Sequence, residues 1–260
     1  MEKWHITQKE LGLKNTDKLK DREKCYIWVL MGGKKNQPVI EYNFRWSRSK
    51  NNVEPLIDGF SGYMMTDGLS HYNTTADEYN ETHEDKIIHC SCNAHARRKY
   101  YDAWKNGNDL DAEPALEYYH EIYSIEKELR RAYERGKLTS EEFVKKRKEK
   151  VLPIFAEFKV WVEELKPKVR PSSKLEKAVK YSLNRWDRLL KYLDCAELTP
   201  DNNECEAIGI RPFTVGGNNW KINYSGEGAK SSCFMFSLIQ TAKANGLNPE
   251  NYLRHFALKF

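Results

Sequence analysis

Gly62-Tyr63-Met64-Met65-Thr66-Asp67-Gly68 is the stretch on which the fold turns. A short apolar run ends in a carboxylate and then a glycine, the pattern of a buried strand that delivers Asp67 at its C-terminal edge. Ligands gather at that edge in α/β sheets. By itself the Asp67-Gly68 pair also fits an ordinary turn, so its neighbours must decide. Val53–Phe60 reads as a short helix leading into the strand, and Ser70–Asn80 as a helix leaving it. Lys86–Ser91 is the next strand, and it runs into Cys92-Asn93-Ala94-His95-Ala96-Arg97-Arg98-Lys99-Tyr100, a basic helix start. Upstream, Cys25–Met31 and Pro38–Phe44 are rich in β-formers and flank a glycine turn, so they read as a hairpin. A basic loop carrying Arg45, Trp46, Arg48 and Lys50 follows, while residues 1–23 read as polar and irregular. The order strand, strand, helix, strand, helix, strand gives an α/β fold by pattern alone.

The second informative stretch is Asp201-Asn202-Asn203-Glu204-Cys205-Glu206-Ala207, after Pro200. Asp201 suits a helix N-cap and Glu204, three residues on, suits the return partner of a capping box. Glu206 is spare, on the helical face of Asn202 and Asn203. A carboxylate beside two amides suits a metal ion next to a phosphodiester. The alternative is a capped surface helix with an exposed glutamate. Ile210-Arg211-Pro212-Phe213 follows, and Phe213–Val215 and Trp220–Tyr224 read as a hairpin around Gly216-Gly217-Asn218-Asn219. Lys230–Ala244 is an amphipathic helix expected to close the core with Phe234, Leu238 and Ile239, with Gly246 as its stop.

Between these stretches the chain is helical and highly charged. Leu116, Tyr119, Tyr123 and Leu129 form one stripe at helical spacing, and Leu152, Phe155, Phe158, Trp161 and Leu165 form another. Such stripes are packing faces. The run Lys145-Lys146-Arg147-Lys148-Glu149-Lys150 between them reads as a solvated face open to contact with DNA backbone. Pro167, Pro171, Ser172 and Ser173 mark a break before a helix over Leu175–Leu193.

Composition sets bounds. The 260 residues carry a net charge of +5, compatible with a polyanionic partner. No apolar run approaches the ~20 residues that span a bilayer, and Met1-Glu2-Lys3-Trp4-His5 lacks the apolar core of a signal peptide. A cytoplasmic protein without membrane association is expected, with its six cysteines as reduced thiols. Cys92 and His95 have metal-ligand spacing, but no second pair completes a zinc site.

Taken together, Thr66-Asp67-Gly68, the segment Cys92–Lys99, Trp186-Asp187-Arg188-Leu189, Asp201-Asn202-Asn203 with Glu206, Ile210-Arg211-Pro212-Phe213, Asn219-Trp220, the tail Ser237–Gly246 and Tyr252-Leu253-Arg254 stand in the order of a known family. The chain resembles the transposases of bacterial insertion sequence family 66, which are enzymes of the DDE type. The resemblance implies a ribonuclease-H-like core with a helical insertion, divided into a polar segment 1–23, core residues 24–106, an insertion 107–172 and core residues 173–260. It implies Asp67 and Glu206 as the second and third catalytic acids. They would be ligands for Mg²⁺ or Mn²⁺ in a two-metal strand cleavage and transfer on transposon ends and target DNA, within an oligomeric complex. DNA contacts are expected from Arg45, Arg48, His95, Arg97, Arg98, Lys99, Arg211 and Trp220.

Two departures stand out. The family's first acid lies in an Asp-Glu-Thr motif on a strand before Tyr26-Ile27-Trp28-Val29, and the acids found there are Glu2, Glu10 and Asp17. An incomplete first strand, and a truncated or degenerate copy with impaired catalysis, are therefore expected. A catalytically inactive DNA-binding remnant is the other reading. Ala207 stands where the family carries an arginine after its last acid, and the spacing from Glu206 to Arg211 is one residue long, with Gly209 as the extra residue.

Overall fold

The computed structural model describes residues 2–14, 22–34, 37–68, 70–84, 86–216 and 225–259. The chain forms two compact units, one of residues 1–89 with 202–260 and the other of residues 90–201. The class is mixed α/β, with most of the helix in the second unit and the tail.

The first unit is built on a sheet. Its strands are β1 (Glu2–Lys14), β2 (Arg22–Lys34), β3 (Gln37–Arg45), β4 (Gly62–Thr66) and β5 (Ile87–Ser91), in the spatial order β3-β2-β1-β4-β5. β2 is antiparallel to both β1 and β3, whereas β4 is parallel to β1. Glu2–Lys14 is thus a long strand in the middle of the sheet, which corrects the expectation of an irregular N-terminus and an incomplete first strand. Its polar residues hid it: β1 is fixed by backbone pairing on both sides, not by apolar alternation of its own.

β2 is apolar nearly throughout because both of its faces are covered. With period two, Cys25, Ile27, Val29 and Met31 join Ile40, Tyr42 and Phe44 of β3 in one core, against Cys205, Phe213, Ala229 and Cys233. Trp28 and Leu30 point the other way, to α1 (Lys50–Ile57), Met64 of β4 and Tyr72, Ala76 and Tyr79 of α2 (Ser70–Thr82).

The second unit is helical: α3 (Asn93–Gly107), α4 (Glu113–Glu134), α5 (Ser140–Leu165), α6 (Lys174–Leu183) and α7 (Trp186–Leu190). Thr139 and Glu142 close a capping box at the start of α5. The helix expected over Leu175–Leu193 is broken at Asn184-Arg185 into α6, α7 and a 3₁₀ turn. Tyr100, Tyr119, Phe158 and Trp186 supply an aromatic centre, with the Tyr100 hydroxyl donating to Ser182 Oγ at 3.0 Å. Leu152 is 40 % exposed, outside the packed stripe that Phe155 and Phe158 form.

The run at residues 145–150 is not the free basic face expected of it. Arg147 is fully buried on α5, its guanidinium 3.6 Å from Glu126 and donating to the carbonyls of Leu198 (3.0 Å) and Cys195 (2.6 Å). Lys148 pairs with Asp194 and Lys150 with Glu128. Arg147 sits at i+4 from Phe143 and i−4 from Val151, on the apolar stripe, so helical periodicity overrides the local composition.

Back in the first unit, Arg211–Gly216 is a helix, α8, not a strand. The second expected strand, Trp220–Tyr224, lies outside the described residues. α9 (Gly226–Ala244) and α10 (Pro249–Lys259) close the chain. α9 packs along β3 through polar side chains one turn apart. Ser237 Oγ accepts the Tyr42 N–H at 2.9 Å, Thr241 Oγ1 accepts from and donates to the backbone of Ile40, and Asn245 donates to the Pro38 carbonyl at 2.8 Å. Phe234 does not enter the core as expected. It is 53 % exposed and meets Phe256 edge-on, while Ala229, Cys233 and Gln240 take the buried face. Among the described residues no helix is long and apolar enough to cross a membrane.

Candidate functional site

Asp67 leaves the end of β4 where Gly68 turns the chain with φ 86°, a value that suits glycine. Thr66 is fully buried, and its Oγ1 meets His89 Nε2 of β5 at 2.8 Å, which fixes the strand end before the carboxylate. Asp67 is half-buried. Its charge reaches Tyr72 on α2, a fully buried phenol pushed well above its ordinary range by burial first and by Asp67 next.

Glu206 is carried by an unusual element. Cys205–Ile210 is a π-helical turn, in which the Arg211 N–H bonds back five residues to the Glu206 carbonyl. A π-turn is what an α-helix becomes when one residue is inserted, and such turns recur at functional sites. Gly209, read from the sequence as the place of an extra residue, lies in this wider turn, and Pro212, lacking an N–H, follows it. Two contacts hold the turn against β2 and β3. A Cβ on Gly209 would lie 2.7 Å from Val29 Cγ1, so only glycine fits without a shift, and the buried Tyr42 hydroxyl donates to the Gly209 carbonyl. Cys205, fully buried, points its thiol at the Val29 carbonyl 4.0 Å away.

The Cys205 thiol feels charge from both segments. Its pKa is pushed far up, by burial first and then by the negative charges of Glu206, Glu204 and Asp67. The charges of the strand-end carboxylate and of the two glutamates of the turn are therefore all felt at one sulfur. Glu206 is half-buried and Glu204 exposed. Among the described residues no group of three or more His, Cys, Asp or Glu side chains is arranged to hold a metal ion.

The cations expected at DNA differ in setting. Arg45 is half-buried and donates to the carbonyls of Phe44 (3.0 Å) and Asn52 (3.4 Å), which pins the loop after β3. Burial lowers its guanidinium pKa. Arg48 is exposed and lies over the Tyr26 ring, and Arg211 is exposed at the start of α8. In the second unit Arg97 and Arg98 are exposed on α3, and Lys99 lies 4.8 Å over the Tyr181 ring. His95 is lowered to about 4 by burial, with Arg98 and Lys99 adding to the shift. Trp220 lies outside the described residues.

Sequence reasoning missed the residues that hold the segment before Asn202. Within the second unit, the Asn93 side chain donates to the carbonyls of Leu189 (3.0 Å) and Pro200 (3.2 Å). The Tyr123 hydroxyl donates to Asp201 Oδ2 at 2.6 Å, so the acid read as a helix cap is also a buried acceptor. Arg130 joins Arg147 on the same stretch, bonding to Ala196 and Leu198 carbonyls and to Glu126. The available signal was Arg147 and Glu126 on apolar stripes, since buried charges are paired.

The first unit is mixed α/β, with helices on both faces of its sheet, an aspartate at a strand end and a glutamate on a helical turn. The chain belongs to the Transposase IS66 family, whose profile it matches over residues 8–231. It is 31% identical over 239 residues to the uncharacterized protein y4qI of Sinorhizobium fredii, covering 88% of this chain and 42% of that protein. The uncharacterized protein y4jD of the same organism is 29% identical over 216 residues, covering 83% of this chain and 41% of its own length. The chain thus spans less than half the length of these curated relatives. No solved structure matches it.

Proposed function

We propose that the chain is the catalytic-core portion of a DNA transposase, with a ribonuclease-H-like first unit whose Asp67 and Glu206 hold divalent metal for strand cleavage and transfer. The observation that carries this reading is that the charges of Asp67 and Glu206, on segments 139 residues apart (206 − 67), both act on the buried Cys205 thiol. The strand order, with β1 in the centre, antiparallel to β2 and parallel to β4, supports the fold assignment. Carboxylate oxygens suit Mg²⁺ or Mn²⁺. Such ions, when bound, activate an attacking hydroxyl and stabilise the leaving oxygen. The protein's part is to hold Asp67 at a strand end and Glu206 on a braced turn, with Arg48 and Arg211 exposed for phosphate. DNA ends and target are the substrates, and an oligomeric, cytoplasmic complex is the working form.

Catalysis is impaired in this reading, and the strand register supports Thr7 as the position at fault. Ile6 pairs with Thr66, so one step further along β1 Thr7 is level with Asp67. On its other side Thr7 pairs with Val29, the residue on which the π-turn rests. The strand position level with Asp67 therefore carries threonine, a residue without ionic charge. A copy that binds DNA without chemistry is the second reading this residue favours.

Strand transfer with Mg²⁺ or Mn²⁺ separates them. The wild-type chain should yield at least ~100-fold less product than Thr7→Asp, the scale on which misplaced groups slow a reaction. The Thr7→Asp product should vanish with Asp67→Asn or Glu206→Gln. Robust wild-type activity would remove the impairment, and an inactive Thr7→Asp would leave the DNA-binding reading.

A further inference from the structure

We infer that the C-terminal half of α4 is a docking ridge for the phosphate backbone of duplex DNA. The inference deepens the proposed function, since it names where the second unit meets that function's polyanion. Lys127, Arg131 and Arg135 recur every fourth residue, so they line one face at about 6 Å of rise per step. All three are exposed. α4 then ends in a Schellman-type stop. Gly136 adopts φ 69°, its N–H bonds to the Tyr133 carbonyl, and the Lys137 N–H returns to the Ala132 carbonyl. That reversal brings Lys137 back beside the last turn, and the four cations line one open cleft of about 410 Å³ with Ser124 and Glu128.

None of the four has a carboxylate partner among the described residues, and the one acid in the cleft, Glu128, is paired with Lys150. The basic run on α5, by contrast, turns its arginine inward and pairs two of its lysines, which leaves Lys145 and Lys146 as its remaining exposed cations, against four lining one cleft here. The two steps from Lys127 to Arg135 cover roughly 12 Å, against one phosphate per about 3.4 Å of axis on each strand. A lipid surface fits less well, because an interfacial helix needs an apolar flank and the apolar residues of α4, Ala115, Tyr119, Ile122 and Leu129, are buried.

The test is fluorescence anisotropy with a labelled mixed-sequence duplex across a salt titration, in EDTA. Binding alone is read, so failure of the metal chemistry would leave the result unmoved. The wild-type chain should show log K falling steeply with log salt, and K127A/R131A/R135A/K137A should lose about 3–4 from that slope, about 0.9 per phosphate released. Arg131→Ala alone should lose about one. Lys166→Ala with Lys168→Ala, two exposed lysines past the far end of α5, should leave the slope unchanged. A quadruple variant with the wild-type slope would overturn the ridge. So would an equal loss in the Lys166/Lys168 control, or wild-type binding to anionic-lipid vesicles in place of DNA.

Discussion

His95 shows how far one side chain's chemistry depends on its surroundings. In the sequence it is a histidine in a basic segment, and a cationic contact to phosphate is the natural expectation. Burial and the adjacent Arg98 and Lys99 hold it neutral, with a pKa lowered from 6.5 to about 4. At neutral pH it can offer phosphate a hydrogen bond but no charge. The unfolded chain binds this proton below pH 6.5 and the folded chain only near pH 4, so the unfolded state carries more protons between them. Stability from this group is complete above pH 6.5 and is lost as pH falls toward 4, by on the order of 2 kcal/mol after solvent screening. Urea denaturation at stepped pH should show that slope, and His95→Gln should flatten it. An unchanged slope in the variant would assign the acid sensitivity elsewhere. Asp67 and Glu206 stood out in the sequence as carboxylates at a strand end and at a helix start. Asn93 and Tyr123 were not, because their role lies in partners far along the chain.

At the scale of elements, the strands β2 to β5 and the helices α1 and α2 were readable because each is buried on at least one face and shows it in period. β1 was not, since its order comes from two neighbours. Phe213–Val215 misled for the opposite reason: aromatic and β-branched residues read as strand, yet they continue a helix whose π-turn and following core contacts override propensity. The π-turn itself was visible only as a one-residue excess. Its bracing predicts two distinct failures. Gly209→Ala puts a methyl 2.7 Å from Val29 Cγ1 and should cost about 1–3 kcal/mol as an overpacked contact. Tyr42→Phe keeps the ring but orphans the Gly209 carbonyl, for about 1–3 kcal/mol. Chemical denaturation of both variants checks this. A Gly209→Ala protein as stable as the parent would mean that the turn slides freely on β2.

Across the molecule, the second unit rests on a buried ionic group more than its helix stripes suggest. Arg130 and Arg147, both paired with Glu126, donate to the carbonyls of Cys195, Ala196 and Leu198. Arg147→Ala should therefore cost about 3–5 kcal/mol, the scale for stranding a buried partner, read as a shifted urea midpoint. A loss under ~1 kcal/mol would mean that Arg130 alone suffices.

The seam between α9 and β3 bears on how copies of this chain can meet. β3 is the outer strand on its side of the sheet, and its outward backbone groups at Pro38, Ile40 and Tyr42 are already engaged by Asn245, Thr241 and Ser237. The helix acts as a dummy strand made of side chains. A second polypeptide arriving in extended form finds no free ladder there to zip onto, and proline at the first of those positions offers no N–H in any case. The sheet is sealed on that flank against runaway stacking, and any assembly approaching from it has to grip helices.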